Sequence, residues 1–368
     1  MRVLADFHHH ALAESLLILF EDRLGGAVYF PAGMDWFTSD TWQFEKQWHG
    51  DAVARQYLEG IWADAQWNPG GDCVRLDPRH PGRTQRGIEY EAALETEWDL
   101  VISTLPPNDA GLHRLAKEHG AAFGLQVGNE GQTINHQLAD FILSSSTLPQ
   151  AGLVSPDTWG RIVSYQGVPT IVYHQEFSMD TFRHEYPAAE RQTVASFVNC
   201  FPEGPSYPDF LDFARGHDQL AQWKVYGATG QPSWATERPY TDEFQAGDLG
   251  PVPDVADAMR AARIIWHTKH WSDGFGHVIH NAFAVGRPVL GYSRYYEGKL
   301  AGPLWVEGVT SFNVEGMGDG DLEDLVARLI NDDELHERVS TAAAARFRAV
   351  VDFDGEAQAI TQLLELVG

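Results

Sequence analysis

Cysteine and long apolar segments are scarce in this sequence of 368 residues. Its two cysteines, Cys73 and Cys200, are too few for a disulfide framework and lack metal-ligand spacing, which favours a reducing compartment. No uninterrupted apolar run reaches the ~20 residues that a membrane-spanning helix requires. Because Asp6 stands where a secretory signal would be apolar, we expect a cytoplasmic protein.

Positive charge is also scarce, since 26 Lys and Arg stand against 52 Asp and Glu, a formal net charge of −26. Extended binding along nucleic acid is disfavoured, because it draws on clustered basic residues. The exception is the segment from Arg75 to Arg86, in which Arg79 and Arg83 complete a local basic cluster bounded by Pro and Gly. We interpret it either as a solvated loop or as an anion site for a phosphate-bearing acceptor.

Apolar segments of strand length alternate with segments of helical spacing along the chain. In the first half, strands are predicted at 2–7, 27–30, 99–104, 121–127, 141–144 and 170–173, with helices at 11–24 and 110–118. In the second half, strands at 194–200, 223–227 and 264–266 alternate with helices at 207–221 and 255–263, and helices follow at 321–348 and 356–367. The alternation predicts an α/β protein with two Rossmann-like domains, 1–180 and 181–350, and a C-terminal helix at 351–368 that crosses back to the first domain.

The segment from Asp273 to Val289 combines a glycine turn, a helix and the start of a buried strand. Gly274 and Gly276 let the backbone approach a ligand closely, and the helix that follows offers unpaired N–H groups and the positive end of its dipole to an anion. The pattern is typical of a phosphate or sugar site, although any Rossmann-like domain can place a glycine turn before a helix.

This segment resembles the donor-binding signature of GT-B glycosyltransferases, in which an acidic-Gly-Phe-Gly turn precedes a Glu-Ala-Met-Ala-x-Gly-x-Pro-Val run. The resemblance implies two Rossmann-like domains facing across a cleft, and sugar transfer from a nucleoside-diphosphate sugar similar to UDP-glucose without an obligatory metal. It places Asp273 near the transferred sugar. Asn281 stands where the family has the ribose-binding glutamate, and its amide can still hydrogen-bond a diol. The donor turn then comprises Gly274, Phe275, Gly276 and His277.

The resemblance implies four further donor-binding positions. His267 and Lys269 lie on the loop before the glycine turn and are candidates for binding the diphosphate. The alternative for Lys269 is an exposed loop lysine without a role. Tyr226 and Gly227 end a predicted strand at the level where family members hold the nucleobase.

On the acceptor side, His8, His9 and His10 directly follow the first predicted strand, at the edge where open α/β sheets bind ligands. A histidine there can act as a base near neutral pH, and the alternatives are a helix-start cluster or an adventitious metal site. Glu130 is a second candidate base. Its neighbour Asn129 is a candidate for binding acceptor hydroxyls.

The sequence constrains the acceptor least. A resemblance to viral glycosyltransferases, together with the arginine cluster, favours a hydroxymethylpyrimidine in DNA, and a phage protein of this kind would act in the host cytoplasm. A glycan or a small molecule is the alternative, and the lack of a basic amphipathic helix disfavours a lipid. Two other functions fit the same fold, a nucleotide-sugar epimerase and a non-catalytic nucleotide-sugar binding module.

Overall fold

A computed structural model of the chain describes residues 1–6, 10–31, 66–67, 72–76, 82–88, 90–104, 109–128, 134–146, 156–197, 207–227, 244–247, 249–269 and 274–368. For 10–11, 66–67, 72–76, 90, 109 and 207–208 it describes the backbone alone. The chain divides into two compact units. The first comprises Met1–Phe177 and Asp352–Gly368, and the second comprises Ser178–Val351.

The first unit is built on a mostly parallel sheet. Its strands within the described ranges are β1 (Arg2–Ala5), β2 (Ala27–Pro31), β3 (Gln66–Trp67), β4 (Asp72–Leu76), β5 (Thr84–Ile88), β6 (Leu100–Ser103), β7 (Ala122–Val127), β8 (Phe141–Ser144), β9 (Ile162–Tyr165) and β10 (Val168–Val172). They pair in the order β3-β4-β5-β2-β1-β6-β7-β8-β10-β9. The pairs β3–β4, β4–β5 and β9–β10 are antiparallel, and the rest are parallel.

The second unit has a smaller sheet, in which every pair is parallel. Its strands within the described ranges are β11 (Glu190–Phe197), β12 (Gln222–Tyr226), β13 (Gln245–Gly247), β14 (Ala262–His267), β15 (Val289–Gly291) and β16 (Ser311–Asn313). They pair in the order β13-β12-β11-β14-β15-β16. Buried parallel strands read as short continuous apolar runs, which is why the sequence pattern identified most of them.

Each sheet reverses its winding direction at one point. In the first sheet β1 pairs with β2 on one side and with β6 on the other. In the second sheet the chain runs outward from β11 through β12 to β13, and then from β14 through β15 to β16 on the opposite side. Open α/β sheets bind ligands at such switch points, outside the carboxyl ends of the strands. The expected sites are therefore β1–β6 and β11–β14.

Helices flank both sheets. Within the described ranges they are α1 (His10–Leu17), α2 (Tyr90–Glu95), α3 (Asp109–His119), α4 (Tyr207–Gly216), α5 (Val252–Ala261), α6 (His277–Ala284), α7 (Asp319–Asn331), α8 (Asp333–Val350) and α9 (Phe353–Val367). The predicted helix at 11–24 is α-helical only to Leu17 and continues as a π-helical turn, Ile18–Arg23. No helix of the described residues is long and apolar enough to span a bilayer. Nor do those residues group three His, Cys, Asp or Glu as a metal site.

The core of the first unit draws on both ends of the chain. Leu16 and Phe20 pack in one cluster with strand residues such as Val3, and Ile360 and Leu363 of α9 belong to the same cluster. Both α9 side chains are at most 1% exposed, and burying each stabilises the fold by about 1.5–3 kcal/mol. Helix α9 is therefore a core element of the first unit.

Three helical predictions in the second unit are wrong in their bounds. The helix predicted at 207–221 ends at Gly216. Helix α5 begins directly after Pro251, at Val252 rather than at 255, and it ends at Ala261 rather than at 263. Residues 262 and 263, which were predicted to end the helix, instead begin β14. The helix predicted at 321–348 is two helices. They meet at Asp332, whose carboxylate accepts a hydrogen bond from the backbone N–H of Leu335 at 2.9 Å and so caps α8.

Buried polar side chains join β14 to the helices behind it. Arg263 is fully buried, and its Nε donates to the backbone oxygen of Leu329 at 2.7 Å while its Nη1 lies 2.9 Å from Asp333 Oδ1. The exposed Arg191 reaches the other oxygen of Asp333 at 3.2 Å. His336 Nε2 donates to the backbone oxygen of Arg263 at 2.8 Å, and burial lowers the pKa of His336 to about 4.

Candidate functional site

The glycine turn lies between the end of β14 and the start of α6. Strand β14 is buried along its length and ends at His267. Gly276 immediately precedes α6 in a left-handed conformation (φ 81°, ψ 55°) that favours glycine. In the described part of the chain no side chain caps the start of α6. Its first N–H groups and the positive end of its dipole can therefore bind an anion.

Aromatic side chains fix the shape of this turn. The buried ring of Phe275 stacks on His280, with ring centroids 4.0 Å apart and an interplanar angle of 7°. Both the backbone N–H and Nδ1 of His280 lie 3.0 Å from the oxygen of Gly276, which assigns the proton of a neutral imidazole to Nδ1. His277 contacts Phe275 edge-on at 4.7 Å. These ring contacts and hydrogen bonds hold the glycine turn against the start of α6.

The other end of α6 is equally constrained. Gly286 has φ 71°, and the backbone N–H groups of Gly286 and Arg287 donate to the oxygens of Phe283 and Ala282 at 3.0 and 2.8 Å. This pattern is a Schellman motif, in which a left-handed glycine ends the helix. A β-carbon at position 286 would lie 2.3 Å from His184 Cδ2. Glycine is therefore required at this position on both conformational and steric grounds.

Two side chains near the switch point of the second sheet have shielded oxygens without a hydrogen-bond partner among the described residues. One is Asn281, within α6, whose Oδ1 is shielded from solvent and has no such partner. The other is Ser196 in β11, whose Oγ is also shielded and which pairs in register with Trp266, the residue before His267. Ser196 was not predicted as a site residue. The feature of the sequence that could have identified Ser196 is its hydroxyl, which interrupts the apolar run that starts at Val194.

An aromatic pair lies at the carboxyl ends of β11 and β12. Phe197 and Tyr226 face each other across the two strands, and their rings stack with centroids 5.2 Å apart at 23°. Burial raises the pKa of Tyr226, so the phenol stays neutral at physiological pH. Lys224, two residues earlier in β12, is held by Glu190 at 2.6 Å. The stacked pair offers an aromatic surface beside the switch point.

The first sheet carries a buried carboxylate at its own switch point. Asp6, directly after β1, is fully buried, and its Oδ1 accepts hydrogen bonds from the backbone N–H and the hydroxyl of Thr104 at 2.5 and 2.6 Å. Its Oδ2 accepts from the Ser103 hydroxyl at 3.0 Å. The carboxylate therefore ties the end of β1 to the end of β6.

Neither a protein-family model nor a curated protein sequence matches the chain. Solved structures are similar to it over its full length. HepE of Anabaena, in complex with UDP and glucose, is 12% identical with a TM-score of 0.63, covering 100% of both chains. Sucrose-phosphate synthase from Thermosynechococcus elongatus is 13% identical with a TM-score of 0.59, covering 100% of this chain and 99% of that chain. The pneumococcal O-GlcNAc transferase GtfA, with UDP and GlcNAc, is 11% identical with a TM-score of 0.58 at the same coverage.

The chain has the GT-B fold. The prediction of two Rossmann-like sheets with helices is thereby confirmed. In this GT-B chain His267, Gly274, Phe275, Gly276, His277 and Asn281 follow one another from the end of β14 into α6. Lys269 is half-buried two residues beyond β14, and Gly227 directly follows β12. Asp273 lies outside the described residues.

The predicted acceptor residues are only partly described. Five of them lie outside the described residues: His8, His9, Arg79, Asn129 and Glu130. Of His10 the backbone is described, and it begins α1.

The prediction of a loop from Arg75 to Arg86 is wrong at both ends. Arg75 lies in β4 and Arg86 in β5, and the two strands form an antiparallel pair. Residues 84–87 of β5 alternate between more exposed and buried positions, the period of two that is typical of a strand. Arg86 forms an ion pair with Glu21, and Arg83 forms one with Asp22. Two of the arginines proposed for anion binding are thus already paired with carboxylates.

Proposed function

We propose that the protein is a glycosyltransferase that moves a sugar from a nucleoside-diphosphate sugar to an acceptor hydroxyl. The observation that carries the proposal is the uncapped start of α6 behind left-handed Gly276, at the carboxyl edge beside the β11–β14 switch point. Similar structures support it, since HepE has been solved with UDP-glucose and GtfA with UDP and GlcNAc. Because one fold can host several chemistries, the site itself has to support the assignment.

In the proposed donor site the diphosphate lies against the first N–H groups of α6. Lys269 and His267, beyond the end of β14, add hydrogen-bond donors to the diphosphate oxygens. Asn281 Oδ1, which has no partner among the described residues, accepts a hydrogen bond from a ribose hydroxyl. The stacked aromatic pair at the ends of β11 and β12 provides a surface for the nucleobase.

The proposed reaction forms a bond between the acceptor oxygen and the anomeric carbon and breaks the bond from that carbon to the diphosphate oxygen. The electron pair of the broken bond leaves with the nucleoside diphosphate, whose charge α6 and Lys269 stabilise without an obligatory metal. From its place in the donor-binding signature, Asp273 is the proposed contact to the transferred sugar. The acceptor proton passes to a base, for which the candidates are His8, His9, His10 and Glu130.

Calorimetry and thermal unfolding with UDP, UDP-glucose, UDP-GlcNAc and GDP-mannose test donor binding. We expect Lys269→Ala to weaken binding roughly tenfold or more, because a hydrogen bond to a charged group contributes about 1.5–3 kcal/mol. The matched control is Lys117→Ala, which removes a surface ion pair with Asp140 in the first unit (2.9 Å) and should leave donor binding unchanged. If no nucleotide or nucleotide sugar binds, the proposed function is refuted.

Product analysis distinguishes the transferase from the two other functions compatible with the fold. An epimerase converts the nucleotide sugar into an isomer without an acceptor, and a binding module leaves it intact. A transferase releases the nucleoside diphosphate and attaches the sugar to the acceptor, or to water when no acceptor is added.

A hydroxymethylpyrimidine in DNA is one proposed acceptor, and a glycan or small molecule is the other. The arginine-rich segment supports DNA by its composition. Neutralising Arg75, Arg79, Arg83 and Arg86 together should then weaken DNA binding and flatten its salt dependence. The ion pairs of Arg83 and Arg86 with carboxylates reduce what these two side chains can contribute to a phosphate site.

A further inference from the structure

A buried polar network lies at the carboxyl edge of the first sheet, at the ends of β7 and β8 and just beyond β10. These strands are parallel neighbours, so their carboxyl ends meet at one edge. Each side chain of the network is at most 4% exposed and carries a hydroxyl or an amide without formal charge. Buried groups of this kind are almost always hydrogen-bonded. The network comprises Gln126, Ser144, Ser145, Ser146, Tyr173 and Gln175.

Hydrogen bonds fix the orientation of one amide in this network. The Ser145 hydroxyl donates to the backbone oxygen of Val127 at 3.2 Å. Its own oxygen therefore accepts, and the donor is Gln175 Nε2. Nearby, the Tyr173 hydroxyl donates to Gln126 Oε1 at 2.9 Å. With the Ser145 hydroxyl donating to Val127, the amide group of Gln175 is assigned with its nitrogen toward Ser145 and its oxygen away from it.

Gln175 Oε1 has no hydrogen-bond partner among the described residues, although Gln175 is only 3% exposed. Leaving a buried acceptor unsatisfied costs about 1–3 kcal/mol, so a ligand that donates a hydrogen bond gains from it. Gly128, just beyond β7, lies beside the same amide, since a β-carbon there would be 3.9 Å from Gln175 Nε2. A residue without a side chain thus adjoins the amide whose oxygen is unsatisfied.

Among the described residues of the first unit, most positive side chains are already paired with carboxylates, which disfavours an anionic ligand at this network. Five of the described Lys and Arg side chains of the unit are in ion pairs with carboxylates: Arg23, Arg83, Arg86, Arg114 and Lys117. Of the other two, Arg2 begins β1, at the opposite edge of the sheet, and the exposed Arg161 directly precedes β9, the outermost strand, whose start pairs with the end of β10. Phosphate groups in proteins are bound by charge-assisted donors such as Arg. The network supplies hydroxyls and amides instead.

We propose that the acceptor is an uncharged polyhydroxylated molecule, a sugar or polyol, one hydroxyl of which donates a hydrogen bond to Gln175 Oε1. The proposal rests on the transferase function. Hydroxyls both donate and accept, as do the serines and the tyrosine of the network, so a polyol can satisfy an unpaired acceptor where a phosphate, which has only acceptors at neutral pH, cannot. The inference gives the first unit a substrate class that differs from the phosphate-bearing acceptor expected from the arginine segment.

The test uses the full chain with whichever of UDP-glucose, UDP-GlcNAc and GDP-mannose it hydrolyses. Methyl glucoside, maltose and sorbitol are compared with glucose 6-phosphate and with a duplex that contains hydroxymethylcytosine. We expect a neutral acceptor to be glycosylated, and Gln175→Ala to raise its KM at least about tenfold. Gln175→Met, similar in shape but without the oxygen, gives the same KM effect and guards against a folding defect.

Gln358→Ala, an exposed glutamine of α9 in the same unit, is the matched control and should leave the KM of the acceptor unchanged. Preference for glucose 6-phosphate or for the duplex overturns the inference but leaves the transferase function standing. So does an unchanged KM for the neutral acceptor in both Gln175 variants. Absence of donor hydrolysis and of transfer refutes the transferase function itself, and the inference with it.

Discussion

Gly286→Ala is expected to destabilise the second unit by about 2–5 kcal/mol through two separate costs. An alanine held in the left-handed conformation of Gly286 (φ 71°) costs roughly 1–2 kcal/mol. Its β-carbon would also lie 2.3 Å from His184 Cδ2 and 2.9 Å from the backbone oxygen of Ser340. Overpacking of this kind adds about 1–3 kcal/mol. The sum is a large part of the about 5–15 kcal/mol by which proteins are stable.

Gly298→Ala is the matched control, since Gly298 has φ 76° but a β-carbon there has no heavy atom within 4 Å. It should lose only the conformational cost of roughly 1–2 kcal/mol. Urea unfolding followed by tryptophan fluorescence reports both losses, because Trp223 and Trp266 are buried in this unit. Equal losses in the two variants, within about 0.5 kcal/mol, would refute the packing argument.

The same pair of variants tests whether α6 positions the donor. Gly286 ends α6, so relief of the clash with His184 displaces the helix whose first N–H groups bind the diphosphate in the proposed site. Small misplacements of a binding group have large effects, and we expect the dissociation constant of the donor to rise roughly tenfold or more. Calorimetry is done at a temperature at which both variants are folded. Unchanged donor affinity in Gly286→Ala would show that the end of α6 does not set the donor position.

Two further predictions concern buried polar groups of the second unit. The pKa of His336 is lowered from 6.5 to about 4 in the folded protein. Between these pH values the unfolded chain binds more protons than the folded chain. The folded state therefore has about 3 kcal/mol of additional stability above pH 6.5, which is lost as the pH falls towards 4. His336→Gln should reduce this pH dependence in urea unfolding, and an equal dependence in both proteins would contradict the assignment. Arg263→Met should cost about 2–5 kcal/mol because it leaves buried carbonyl oxygens unpaired. The exposed Arg191→Met should cost about 0–1 kcal/mol in the same assay, and similar losses would contradict the role of burial.

Hydrophobic pattern alone predicted the buried centre of both sheets. The runs that became β1, β6, β7, β8 and β14 are short and apolar, as expected for parallel strands covered on both faces. Strands β4 and β5 were missed because the arginine-rich segment, which runs from one into the other, carries Pro and Gly residues that are typical of loops. Strand formation depends on tertiary packing more than on composition, so a charged segment can also form strands.

The glycine turn before α6 was predictable because its parts are adjacent in sequence, from Gly274 into the helix. The contacts at the first sheet were not. Asp6 binds Thr104, 98 positions away, and Gln175 is oriented by Ser145, 30 positions away. Isolated Ser and Gln residues have no periodicity that would mark them. Only the pairing of strands brings these side chains to one edge, and an unsatisfied oxygen becomes visible only when all its neighbours are known.

The core position of α9 has a consequence for the order in which the two units fold during synthesis. The second unit ends at Val351, whereas the first unit needs Ile360 and Leu363 to complete its core. A nascent chain that has emerged as far as residue 351 therefore contains every residue of the second unit but not those that close the first. The sheet of the first unit is translated first, but it reaches full stability only after α9 has left the ribosome.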